Sequence, residues 1–259
     1  MLQIRNLSLA YGKAEPVLEG VDLDLEPGRF VSLIGPSGCG KSTILRVVTG
    51  LQKPDTGRVS LKVDHKEIAF LFQDDALLPW RSVRDNVALG LRARGMSRQE
   101  ARTESDKWLD SVGLTGFGDR WPRQLSGGQR KRVAIAQCLA LRPKLLLMDE
   151  PFASLDAIVR HYLTEDLLHW VEREHLTVLM VTHDLEEAIA LSDEVILLGS
   201  GPRAHIKGRF EVPLERPRML LENRSDPRFV KLAKQLWSAL SDEVAPLMSR
   251  RSNLKAVNQ

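Results

Sequence analysis

The chain opens on two runs, LQIRNLSLAYG and VLEGVDLDLEPG, in which apolar and polar residues largely alternate. A period of two predicts half-buried strands, here joined through a Gly/Pro turn. Denser apolar runs follow: RFVSLI, GRVSLKV, EIAFLF, KLLLMD, LTVLMVT and EVILLG. Short runs of this kind, bounded by polar residues, predict buried strands. Between them the apolar spacing lengthens to three and four, which predicts helices over 41–50, about 83–113 with a break near Gly95, 126–141, 155–174 and 184–191.

Strands alternating with helices predict an α/β fold with a mainly parallel sheet, preceded by an N-terminal antiparallel β subdomain. The stretch from about 74 to 140 carries several helical patterns and no strand, and reads as an inserted helical subdomain. Beyond GSGPRAHIKGRFEV, the segment PLERPRMLLENRSDPRF is too rich in proline and arginine for a core element. A helix is predicted over 227–240, and the last ten residues read as frayed. The expected division is one domain over 1–210 and a C-terminal extension over 211–259 with a short helix and a flexible end.

Composition narrows the classes. A chain of 259 residues with 43% hydrophobic and 27% charged residues has the make-up of a globular protein with a large core. No apolar run approaches the roughly 20 residues that span a bilayer, and MLQIRNLSLAYG lacks the features of a signal segment. The net charge of +3 comes from interspersed acids and bases, which argues against a nucleic-acid partner. Cys39 and Cys138 have no metal-ligand spacing, so a reduced chain in the cytoplasm is the simple expectation. Work at a membrane would then go through a partner.

The stretch GPSGCGKST, residues 35–43, separates a predicted strand from a predicted helix. Gly35, Pro36, Ser37, Gly38, Cys39 and Gly40 form a loop whose glycines can turn successive N–H groups toward one anion. The helix N-terminus that follows adds free N–H groups and partial positive charge. Lys41 can reach outer phosphates, the Ser42 hydroxyl can ligate Mg²⁺, and Thr43 follows on the same turn. An ordinary glycine turn with an exposed lysine is the alternative, and the strand–loop–helix order speaks against it. Cys39 within this loop suggests that thiol alkylation would block nucleotide binding, with bound nucleotide protecting.

A second pattern, LLLMDE, ends an apolar strand in two acids. Buried strands seldom end so, because each carboxylate must be solvated or paired. Beside a phosphate loop the first acid, Asp149, would hold the Mg²⁺ shell, and Glu150 could polarise an attacking water as general base. A third, LSGGQ, opens another helix, with Ser126 as N-cap and Gly127, Gly128 and Gln129 in its first turn. A cap alone does not require two glycines.

With GPSGCGKST, LSGGQ, LLLMDEP, SLD and VTHDLEEA in order, the sequence resembles the ATP-binding subunits of ABC transporters over nearly its whole length. The resemblance implies a P-loop NTPase (RecA-like) core. It implies ATP and Mg²⁺ as cofactors and a head-to-tail dimer of two copies. Each ATP would lie between the phosphate loop of one copy and Ser126, Gly127, Gly128 and Gln129 of the other. It further implies that Tyr11 stacks on adenine, though a tyrosine lining a turn is the alternative. Gln73 would touch Mg²⁺ and the attacking water, His183 would sense the γ-phosphate and position Glu150, and Asp156 would contact the partner's site. Metal ligation would fall to Ser42, Gln73 and Asp149, and catalysis to Glu150, His183, Gln73 and Lys41. The chain departs from the usual pattern at Ala153-Ser154-Leu155-Asp156 and at Gln137, where an arginine is commoner.

QDDALLPWRSVRDNVALGL and FEVPLERPR resemble segments of importers for nitrate, sulfonates, taurine and related anions. The resemblance implies a translocase ATPase, peripheral on the cytoplasmic face of the inner membrane. Its partners would be a transmembrane permease and, indirectly, an extracytoplasmic solute-binding protein. Leu77, Leu78, Pro79 and Trp80 would form an apolar docking patch for the permease, unless Trp80 packs inside the helical region. Two rivals are a soluble ABC ATPase of DNA repair or translation and a regulatory subunit that binds ATP but hardly hydrolyses it. The single phosphate loop without a heptad tract counts against the first, and Glu150 with His183 against the second.

Overall fold

The computed structural model describes residues 1–218 and 220–256, with side chains described up to Ala245. In chain order the strands are β1 (Leu2–Leu9), β2 (Leu18–Leu25), β3 (Phe30–Ile34), β4 (Thr56–Leu61), β5 (Ile68–Leu71), β6 (Leu145–Asp149), β7 (Thr177–Val181), β8 (Glu194–Leu198) and β9 (Ile206–Glu211). The helices are α1 (Lys41–Val48), α2 (Val83–Ala93), α3 (Arg98–Ser111), α4 (Gly127–Leu139), α5 (Ala157–Arg173), α6 (Leu185–Leu191), α7 (Leu220–Asn223) and α8 (Pro227–Ala256). The chain divides into two compact units, Met1–Lys62 with Leu179–Gln259, and Val63–Val178.

In the first unit, β1 lies between β2 and β4 in an antiparallel sheet. Leu2, Ile4, Leu7 and Leu9 of β1 are buried, so the inward face changes parity between Ile4 and Leu7. A register shift falls there, and Asn6 takes φ 49°. Such a bulge lets one strand keep all four leucine and isoleucine side chains inside. The other sheet of this unit runs β7-β3-β8-β9. β3 pairs parallel with β8, and β9 closes the edge antiparallel to β8. All five residues of β3 are buried, as expected for a strand covered on both faces. β9 escapes the sequence pattern because IKGRFE carries alternating half-exposed residues suited to an edge.

The proline- and arginine-rich tail, expected outside the core, is anchored in it. Arg216 and Arg218 each place a guanidinium nitrogen 2.6 Å from Asp193, and Arg218 also donates to the Leu191 carbonyl at 3.0 Å. Asp193 in turn accepts from the Phe30 N–H at 2.8 Å. Val212, Leu214 and Leu220 of the same tail are buried, and the Val212 N–H donates to the Asp193 carbonyl at 2.9 Å. The helix predicted over 227–240 runs on to Ala256 as α8, which packs on α6. Of the ten C-terminal residues expected to be frayed, those up to Ala256 are helical and 257–259 lie outside the described residues.

In the second unit β5 and β6 pair parallel. Ser82 and Ser97 cap α2 and α3, whose separation near Gly95 matches the expected break. α2 packs on α3 and α4, and a Cβ on Gly90 would fall 2.7 Å from the Leu141 side chain. No described helix is long and apolar enough to cross a membrane.

Candidate functional site

The first unit carries the phosphate loop between β3 and α1. A Cβ on Gly35 would lie 2.5 Å from the Leu198 carbonyl oxygen, and one on Gly40 would lie 2.6 Å from the Leu18 side chain. Both positions also have positive φ, so only glycine lets the loop lie this close to its walls. Pro36 is buried, whereas Ser37 and Gly38 form the exposed tip. Lys41 is 7% exposed, and its Nζ donates to the carbonyls of Gly35 at 2.9 Å and Pro36 at 3.0 Å. An ammonium has three donors, so one remains to meet an anion above the loop.

Around this loop, Ser42 is half-buried and Thr43 buried. The Thr43 hydroxyl bonds the Tyr11 hydroxyl at 3.1 Å, which ties the tyrosine to the loop while leaving it 44% exposed. Cys39 is 1% exposed, and burial pushes its thiol pKa up against the opposing pull of Lys41. Alkylation at Cys39 should therefore be slow, because the reactive thiolate is both shielded and disfavoured. Its amide donates to the Pro36 carbonyl at 3.3 Å.

His183 is exposed just beyond β7. The Thr182 hydroxyl donates to Glu187 and accepts from the Asp184 N–H at 3.1 Å. Asp184 caps α6 by accepting from Glu186 and Glu187 at 3.0 and 3.1 Å. The backbone is thus clamped on both sides of the imidazole.

The second unit holds the other expected residues. Asp149 ends β6 at 8% exposure. Glu150 follows at φ 44°, a left-handed conformation that costs a bulky residue about 1–3 kcal/mol and that clusters at functional sites. Gln73 is exposed just after β5. Its carbonyl accepts from Lys131 of α4 at 3.0 Å. Lys131 is 1% exposed and pairs with Asp75 at 3.0 Å, while Arg130 reaches the other Asp75 oxygen at 3.3 Å. This anchor of the Gln73 segment was missed from the sequence. Its signal was a lysine in line with the apolar face of α4, where a cation needs partners.

Ser126 and Gln129 cap each other's end of the first turn of α4. Ser126 Oγ accepts from the Gln129 N–H at 3.2 Å, and Gln129 Oε1 accepts from the Ser126 N–H at 3.0 Å. The N–H groups of Gly127 and Gly128 open the helix, where no carbonyl four residues back awaits them. The two glycines differ. A Cβ on Gly128 would fall 2.6 Å from Val159, whereas one on Gly127 meets nothing nearer than 3.8 Å. Asp156 caps α5, accepting from the Val159 N–H at 3.0 Å.

Trp80 is 69% exposed, so it does not pack inside the helical region. Leu77 and Leu78 are half-buried and Pro79 exposed. Trp80 and Trp121 flank a cavity of about 320 Å³ also lined by Arg81, Arg92, Arg98 and Arg102.

A sequence profile of the ABC transporter family matches residues 18–153, from β2 through the phosphate loop and LSGGQ to just past Glu150. The chain belongs to that family. The ABC transporter relatives include the nitrate import ATP-binding protein NrtC of Synechococcus elongatus, 43% identical over 87% of this chain. This chain spans only 35% of NrtC's length. The nitrate import ATP-binding protein NrtD of the same organism is 43% identical over 83% of this chain and 81% of its own. The uncharacterized ABC transporter ATP-binding protein MJ0412 of Methanocaldococcus jannaschii is 40% identical over 94% of this chain and 92% of its own. Among solved structures, the dimeric post-hydrolysis state of the ATP-binding cassette MJ0796, bound to ADP and Pi, superposes with a TM-score of 0.72 at 31% identity. It covers 83% of this chain and all of MJ0796.

Proposed function

We propose that this chain is the ATP-hydrolysing subunit of an ABC import system, peripheral on the cytoplasmic face of the membrane. It would power uptake of a small anion of the nitrate kind through a separate permease, fed by an extracytoplasmic solute-binding protein. The observation that carries the ATP reading is Lys41, buried beneath the glycine loop with two carbonyl partners and one donor left for a phosphate. The kinship with NrtC and NrtD, both nitrate import proteins, favours the importer and its anion.

In this reading Gly35–Gly40 and the first turn of α1 cradle the phosphates, with Ser37 and Gly38 at the mouth and Tyr11 offering its ring to the base. Mg²⁺, when bound, neutralises charge on the phosphates; Ser42, Gln73 and Asp149 would hold it. The described residues contain no cluster of three or more His, Cys, Asp or Glu side chains for a metal. That donor set fits an ion that keeps phosphate and water oxygens as most of its ligands. Glu150 accepts a proton from the attacking water as the water oxygen bonds to the γ-phosphorus and the bond to the β-bridging oxygen breaks. His183 hydrogen-bonds the γ-phosphate and orients Glu150. Ser126, Gly127, Gly128 and Gln129 of a second copy close over the same phosphate, with Asp156 lining that interface. The dimeric MJ0796 with ADP and Pi supports such an arrangement. Residues of about 74–140 act as the inserted helical subdomain, presenting Leu77–Trp80 to the permease.

Glu150→Gln tests the reading. It should slow hydrolysis at least about a hundredfold and give a dimer at saturating Mg-ATP in light scattering. A monomer under those conditions, or hydrolysis at the parental rate, contradicts the shared site.

A further inference from the structure

We propose that Glu243, on the C-terminal helix α8, is a positioning residue for the phosphate loop. The inference rests on the phosphate-loop reading above and assigns a role to the extension that follows β9.

The Glu243 carboxylate accepts from the Ser200 N–H at 2.9 Å and from the Ser200 hydroxyl at 3.3 Å. Its other oxygen lies 3.5 Å from the Lys207 ammonium, and the side chain is 17% exposed. In the turn after β8 this carboxylate holds Ser200, while the Gly199 N–H donates to the His205 carbonyl at 2.9 Å and the Arg203 N–H to the Pro16 carbonyl at 2.7 Å. A Cβ on Gly199 would fall 3.1 Å from a Glu243 oxygen and 2.8 Å from Lys207 Cε, so a side chain there would push the acid away.

The same turn lies alongside the phosphate loop, within one side-chain carbon of it. A Cβ on Gly201 would sit 3.7 Å from the Gly38 carbonyl oxygen and 3.8 Å from Cys39 Cα. At the turn's start the Leu198 carbonyl lies so close to Gly35 that only a glycine fits there. Residues 198–201 are therefore a wall behind the loop from Gly35 to Cys39, and Glu243 fixes the middle of that wall. Without the carboxylate, the Ser200 amide loses its acceptor and the turn is free to relax. A cradle that binds phosphate through backbone N–H directions depends on tolerances of about half an ångström. A looser wall weakens nucleotide capture, while Glu150 and the attacking water, on another segment, keep their chemistry.

The test measures Mg-ATP binding and steady-state hydrolysis in the full chain for the parent, Glu243→Ala, Glu243→Gln and Lys41→Ala. Glu243→Ala should raise the Kd and KM for Mg-ATP about fivefold with kcat within about twofold, an effect of the size one lost charged hydrogen bond allows. Glu243→Gln, whose amide oxygen still accepts from Ser200, should stay within about twofold of the parent. A lowered melting temperature with parental Kd and KM would mean that Glu243 serves only the fold, and would overturn the proposal. If Glu243→Ala does not fold, Glu243→Met fills a similar volume without an acceptor, and parental binding there overturns it equally. Lys41→Ala separates the two claims. Undiminished binding by that variant sinks the phosphate-loop reading, whereas its loss beside a parental Glu243→Ala sinks only this inference.

Discussion

The unlike surroundings of Gly127 and Gly128 allow a stability effect to be separated from a functional one within a single motif. An alanine methyl at 128 would sit 2.6 Å from Val159 Cγ1, about an ångström inside van der Waals contact. Val159 lies in the first turn of α5, where a β-branched side chain has one favoured rotamer and little room to retreat. Overpacking of this kind costs about 1–3 kcal/mol, and at about 2–4 °C per kcal/mol Gly128→Ala should melt roughly 2–12 °C early. An alanine methyl at 127 meets nothing nearer than 3.8 Å, and the residue has no positive φ to strain. Gly127→Ala should thus melt at or slightly above the parent, since alanine is the better helix former by up to about 1 kcal/mol. Under the proposed shared site, that methyl would crowd the approach of a partner's γ-phosphate to the opening N–H groups of α4. Losing one such donor costs roughly 10²–10³ in kcat, so even partial obstruction should lower ATP hydrolysis at least about tenfold. The assay pairs differential scanning calorimetry with phosphate release at saturating Mg-ATP. A stable Gly127→Ala protein that hydrolyses ATP at the parental rate would refute the idea that this helix end receives phosphate.

Two further outcomes follow from other parts of the molecule. Burial opposes ionisation of Asp193, but the Phe30 N–H and the guanidinium groups of Arg218 and Arg216 outweigh it and hold the carboxyl below its ordinary 3.8. A depressed folded pKa contributes stability that is complete above the unfolded value and is lost as pH falls through the folded one. Asp193→Asn should therefore make the acid limb of the stability profile shallower below about pH 5, and an unchanged limb in urea titrations would count against the ion-pair knot. Trp80→Ala removes a side chain that is 69% exposed, so it should shift stability by less than about 0.5 kcal/mol while abolishing co-purification with the permease. Intact co-purification would end the docking assignment.

Much of this was legible from residues alone because the deciding signals are local. The two alternating runs, the glycine loop before α1 and the Ser126 cap are each written within about ten residues. What was misjudged depends on distant partners. Arg218 reads as a solvent-seeking residue until Asp193, 25 positions earlier, is placed beside it. Cys39 reads as reachable from its place in a loop, but its side chain is buried, and Lys131 has no evident purpose until Asp75 and the Gln73 carbonyl are brought to it. Trp80 could have faced either way, because one aromatic residue beside a helical stretch carries no directional period.

The knot of Arg216, Arg218 and Asp193 also says where this protein can be cut. A version trimmed after β9 would leave Asp193 without either guanidinium, at the foot of the strand that delivers the glycine loop. The seam suggested by a change in composition near residue 210 is consequently a poor place for scissors. A tag or fused module joined beyond α8 keeps both this foundation and the Glu243 contact intact, and natural shuffling of such cassettes would be expected to carry the tail along.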